Sequence, residues 1–161
     1  MRYLVRSFNN NQIIMVKISP YFTALIDNGC TTSIFSDPTV FTNMEFGSFP
    51  ISQVEAGRSI NASGCGEVYL KTRNGTHIHI QRALYYPDST ASLIAQNDLL
   101  SNRRIEGTMY EQRFINETTG NVDIEPVISE SGLLLLEVRA VFPKVACETA
   151  LLAENFETIH E

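Results

Sequence analysis

Cysteine is scarce in this chain. Cys30, Cys65 and Cys147 are odd in number and far apart, and no two form a CxxC pair. That pattern excludes a disulfide framework and the paired-ligand spacing of a structural zinc site, so no metal is expected and the thiols read as reduced, in a cytosol-like compartment. Basic residues are also few: 12 Lys and Arg against 18 Asp and Glu leave a formal net charge of −6. A phosphate backbone is gripped by clustered Lys and Arg, so nucleic acid is not an expected partner. Long apolar runs are missing too. Nothing approaches the ~18 residues of a membrane span, and Met1–Ser19 has no signal-peptide core, so no membrane partner is expected. Three Asn-x-Ser/Thr triplets, at Asn61, Asn74 and Asn116, look secretory. Chance alone supplies about two of them at this Asn, Ser and Thr content, so they carry no weight.

What is present suits one globular domain: 161 residues, 43% hydrophobic and 19% charged. Turn signals arrive every ~8–12 residues, the rhythm of an all-β sandwich or barrel. Asn11–Ser19 and Phe22–Asp27 read as apolar strands separated by Pro20, and Ser33–Thr42 as a turn with one helical turn. Ile51–Glu55 and Ser59–Ala62 flank Ala56-Gly57-Arg58 as a hairpin; Glu67–Arg73 and Thr76–Leu84 flank Asn74-Gly75 as a second. In the second, Val68, Leu70, Ile78 and Ile80 alternate with polar neighbours, which predicts one buried and one wet face. Ser92–Leu100 reads as a short strand entering a helical turn, Thr108–Asn116 and Gly120–Ile128 as a strand pair, and Leu133–Val138 as a last strand. After Pro143, apolar residues at helical spacing predict an amphipathic helix over Lys144–His160.

The chemically informative stretch is Ala24-Leu25-Ile26-Asp27-Asn28-Gly29-Cys30-Thr31-Thr32. It places a carboxylate at the end of an apolar strand, where it is costly unless hydrogen-bonded, with a glycine that lets the backbone turn an N–H toward it. Taken alone, Asp27 also fits a turn aspartate capping local backbone groups. His77 and His79 share one strand face and fit a solvated face better than a metal site, no third ligand being near in sequence. Cys30 and Cys65 read as buried, inert thiols.

Five segments in order carry a resemblance. They are the Asp27 loop; Val54-Glu55-Ala56-Gly57-Arg58-Ser59; Gly64-Cys65-Gly66-Glu67-Val68; Arg82-Ala83-Leu84-Tyr85-Tyr86-Pro87; and Ala91-Ser92-Leu93-Ile94-Ala95-Gln96-Asn97-Asp98-Leu99. With Gly132-Leu133-Leu134-Leu135, Phe22 to about Val138 resembles the retropepsin-like aspartic protease region of Copia-type (Pseudoviridae) retrotransposon Gag-Pol polyproteins. The resemblance implies a mostly β fold, a retropepsin-like closed β-barrel with a C-terminal helix. Its segments would be an N-terminal strand segment (1–19), the protease domain (20–139) and a helical tail or linker (140–161). It implies Asp27 as the catalytic acid, with Asn28, Gly29, Cys30 and Thr31 as the active-site loop. Val54, Glu55, Ala56, Gly57 and Arg58 would be a flap over an extended peptide. It implies an aspartic endopeptidase that needs no cofactor, acting as a homodimer on its own polyprotein in the cytoplasm, virus-like particles included. Asp-x-Gly occurs once, so the second carboxylate would come from a second copy. Two positions depart from the pattern: Asn28 stands where the family has Ser or Thr, and Cys30 where it has Ala. Asn28 keeps open a catalytically inactive binding or assembly module of the same fold. A third reading is an unrelated all-β ligand-binding domain in which Asp27 only forms a turn.

Overall fold

The computed structural model describes residues 2–7, 13–51, 60–108 and 110–143. Those residues are mostly β, with two short 3-10 turns as the helical content. The expected helix over Lys144–His160 lies outside them. No helix among the described residues is long and apolar enough to cross a membrane.

A two-stranded antiparallel ladder pairs β1 (Arg2–Ser7) with β2 (Ile13–Ile18), both within the segment 1–19; β2 falls in the strand read over Asn11–Ser19. Pro20 separates β2 from β3 (Phe22–Asp27). The turn expected over Ser33–Thr42 holds a short strand, β4 (Ile34–Phe35), before its 3-10 turn at Pro38–Val40. That turn forms because the Asp37 side chain caps the Thr39 N–H at 2.9 Å and Pro38 starts with its φ already fixed.

β5 (Glu45–Ile51) and β6 (Ile60–Thr72) pair antiparallel up to Ile51 and Ile60, and the tip between them lies outside the described residues. The described part of Ser59–Ala62 and the stretch from Glu67 to Thr72, read separately in the sequence, belong to the single 13-residue strand β6. Gly64 and Gly66 within it permit a close crossing. A Cβ on Gly66 would stand 2.0 Å from the Asn43 carbonyl oxygen. β6 turns at Gly75, in the left-handed region at φ +92°, into β7 (His77–Tyr85). Val68, Leu70, Ile78 and Ile80 are buried there, with His77 and His79 exposed, as the alternation predicts.

β8 (Ser92–Ala95) runs into the second 3-10 turn, Gln96–Leu99. Past it the expected strand pair forms, with shorter strands and an added neighbour. β10 (Glu111–Asn116) lies between β9 (Arg103–Thr108) and β11 (Val122–Ile124), while β12 (Val127–Ile128) leaves to join β13 (Leu134–Ala140). Thr108 closes β9 rather than opening β10; the strand Arg103–Thr108 was hidden because Ile105 is its one apolar side chain among charged and small residues.

The main sheet runs β12-β13-β3-β8-β4-β7-β6-β5, and β13 also pairs with β6. Strands β13, β3, β8, β4, β7 and β6 therefore follow one another in a ring of hydrogen-bonded neighbours. Inside pack Ala24, Ile26, Phe35, Val68, Leu70, Ile80, Ile94 and Val138, all buried. Phe35 meets Phe22 and Phe41 edge-on, with centroids 6.3 and 6.1 Å apart. Such contacts add ~0.5–1.5 kcal/mol each beyond area burial.

Asp123 fastens the smaller β9–β11 sheet to the β6–β7 hairpin. Its Oδ2 accepts from Arg103 Nε at 2.9 Å and Asn116 Nδ2 at 3.0 Å; its carbonyl accepts from Thr76 Oγ1 at 2.7 Å. Burial pushes the carboxyl up, but the bonds from Asn116 and Arg103 outweigh it and hold Asp123 below its ordinary 3.8. A depressed folded-state value stabilises above the unfolded value and loses that stabilisation as pH falls through the folded one. Asp123→Asn should therefore melt below the wild type at neutral pH, with the gap closing as pH drops below 3.8. Melting curves across that range check this, and a pH-independent gap refutes it.

Candidate active site

β3 buries Ala24 and Ile26 on its core face, so Leu25 and Asp27 take the opposite face. Asp27 ends the strand, half-buried, in parallel register with Ala95 of β8. The chain then bends, and the Gly29 N–H donates back to Asp27 Oδ1 at 2.8 Å. This bond meets part of the desolvation cost of ending an apolar strand in a carboxylate. The Asp27 carboxylate accepts no other hydrogen bond among the described residues, which leaves its second oxygen available to a water or another carboxyl group.

Of the other expected site residues, Asn28, Gly29 and Thr31 are exposed and Cys30 is half-buried. The Cys30 thiol donates to the Thr32 carbonyl at 2.6 Å. Burial, with the charges of Asp27 and Asp98 nearby, raises this thiol above its usual value. A raised value keeps it protonated and unreactive at neutral pH. Val54, Glu55, Ala56, Gly57 and Arg58 fall in the hairpin tip outside the described residues.

Asp27 opens onto a cleft of about 320 Å³. Leu25, Leu93, Leu133 and Leu134 supply apolar walls; Gln96 and Gln112, joined at 3.2 Å, supply carboxamides. Among the described residues, the sole ionisable side chain lining it is Asp27. Such a cleft suits a neutral, partly apolar chain and offers a carboxylate for proton transfer. Leu133 comes from the turn before β13, and Ser129 fixes that turn by accepting the Leu133 N–H on its hydroxyl.

Two residues that sequence reasoning passed over also bear on the loop. Ser33 is fully buried and bonds both to Asp98 and to the Ala95 N–H. A serine between Thr32 and the apolar pair Ile34-Phe35 is the signal that was available. His77 and His79 stay on the outer face, where His79 pairs with Glu67 at 2.7 Å and stacks on Tyr69. No group of three or more metal-ligating side chains occurs among the described residues.

These features define a mostly β domain whose strands surround one core and present a single looped carboxylate at a leucine-walled cleft. The family model of the Pol polyprotein β-barrel domain matches residues 24–104, half of the chain, and the chain belongs to that family of retroelement-type polyprotein domains. No curated protein and no solved structure matches it. The matched segment begins inside β3 and contains Asp27, Ser33 and Asp98. It ends before β13, although β13 completes the ring of strands.

Proposed function

We propose that this domain is an aspartic endopeptidase of a Copia-type retroelement, built as a retropepsin-like barrel and cleaving its own polyprotein. The observation that carries the reading is Asp27 at the end of an apolar strand, with one oxygen held by Gly29 N–H and the residue lining a leucine-walled cleft. One carboxylate per chain calls for a homodimer that brings two Asp27 side chains together across a two-fold axis. Carboxylates ~3 Å apart cannot both ionise, so they share a proton and titrate as a pair. The ionised member takes a proton from water, which adds to the peptide carbonyl; the protonated member donates to the carbonyl oxygen. Collapse of the tetrahedral adduct breaks the C–N bond as the amine receives a proton. An extended substrate would lie beneath the β5–β6 hairpin, its main chain bonded as an added strand.

The test incubates the protein, at mildly acid pH, with a precursor spanning its own flanks, alongside sedimentation equilibrium. Discrete fragments and a dimer are expected. A dimer that neither cuts nor binds a statine-type inhibitor supports the inactive binding or assembly module that Asn28 keeps open. A monomer with an isolated Asp27 overturns the dyad.

A further inference from the structure

We propose that Ser33 and Asp98 form a positioning pair that sets the placement of Asp27, an inference resting on the peptidase reading above. β3 and β4 are both neighbours of β8, one on each side. The chain leaving Asp27 must therefore arch over the end of β8 before re-entering the sheet at Ile34. Both feet of the arch meet one residue. Asp27 stands in register with Ala95 on one side; on the other, Ser33 Oγ accepts the Ala95 N–H at 2.9 Å.

The serine is itself clamped. Having accepted that N–H, its hydroxyl directs its own proton to Asp98 Oδ2, 2.6 Å away. Asp98 lies in the 3-10 turn that directly continues β8, so donor and acceptor are fixed by one short segment. The Ser33 carbonyl accepts the Leu84 N–H at 2.9 Å, tying the same residue to β7. Ser33 and Ala95 are wholly buried, so neither the serine hydroxyl nor the Ala95 N–H has a water to substitute for its partner. Neither residue lines the Asp27 cleft; Asp98 instead walls a separate polar cleft of about 390 Å³. Their action on the reaction therefore runs through the loop. A displacement of ~1 Å at a reacting group costs on the order of 10²-fold in rate.

Three variants of the full chain test this: Ser33→Ala, Asp98→Ala and Asp98→Asn. The two alanine variants should lose ~10²-fold in kcat with KM little changed, since alignment rather than binding is lost. Asp98→Asn keeps an oxygen that accepts the serine proton and should recover most of that loss. Amide hydrogen exchange reads the pair without any activity. The Ala95 and Gly29 N–H groups should exchange about tenfold faster or more in Ser33→Ala, the equivalent of one lost buried hydrogen bond, while the Ile80 amide holds. Unchanged exchange at Ala95 and Gly29, a loss confined to KM, or an Asp98→Asn variant no better than Asp98→Ala overturns the proposal. If the wild type cuts nothing, the peptidase reading falls, and exchange alone decides whether the pair holds the loop.

Discussion

Asp27→Asn is expected to reduce precursor cleavage by about 10⁴-fold, the upper end of what positioned acid–base catalysis contributes, while leaving the dimer intact. The substitution enters both subunits, so the proposed dyad loses its general base and its general acid together. A carboxamide cannot take a proton from water at mildly acid pH, nor give one to a carbonyl oxygen. The fold should scarcely respond. Asparagine retains the oxygen that accepts the Gly29 N–H at 2.8 Å, and Asp27 is only half-buried. A change within about 0.5 kcal/mol is the ordinary result for such a site. The pairing of collapsed activity with unchanged melting separates a chemical role from a structural one. Cleavage persisting in the variant would remove Asp27 from the reaction and return it to the role of a turn aspartate.

The sequence made the strands legible where side chains alternate and turns carry glycine. The β6–β7 hairpin around Asn74-Gly75 follows from that pattern, because burying one face of a strand imposes a period of two, whereas β3 and β8 were legible as short apolar runs. The pattern failed where backbone packing rather than side-chain alternation decides. β6 was read as two separate strands, yet it runs on through Gly64 and Gly66, which let it pass close to Met44 and Asn43. β4 was missed since two residues carry no period, although Phe35 anchors the core and Ile34 packs with Ala62 and Leu84. At the site, Asp27 and Gly29 were visible because their spacing is local. The Ser33–Asp98 contact joins residues 65 positions apart and left no local trace. The same is true of Leu133, which reaches the Asp27 cleft from a turn far along the chain.

Phe35→Ala is expected to destabilise the domain by about 3–5 kcal/mol, a large part of the ~5–15 kcal/mol that holds a domain of ordinary stability. Phe35 is fully buried and is flanked edge-on by Phe22 and Phe41; Phe41 in turn meets Tyr85 at 6.2 Å. Removing its ring deletes the centre of this aromatic row, and the surrounding ring of strands can close only part of the cavity. Phe46 supplies the control: it is 72% exposed on edge strand β5, and Phe46→Ala should shift stability by no more than about 0.5 kcal/mol. Urea denaturation of both variants measures the difference, and equal midpoints would contradict the packing described. The damage should also reach the site. β4 is where the Asp27 loop returns to the sheet, one residue after Ser33, and the Phe35 carbonyl accepts the Tyr86 N–H at 3.0 Å. A loosened β4 releases one foot of the arch over β8. Cleavage by Phe35→Ala should accordingly fall away at temperatures below its global melting point, while Phe46→Ala retains activity up to its own.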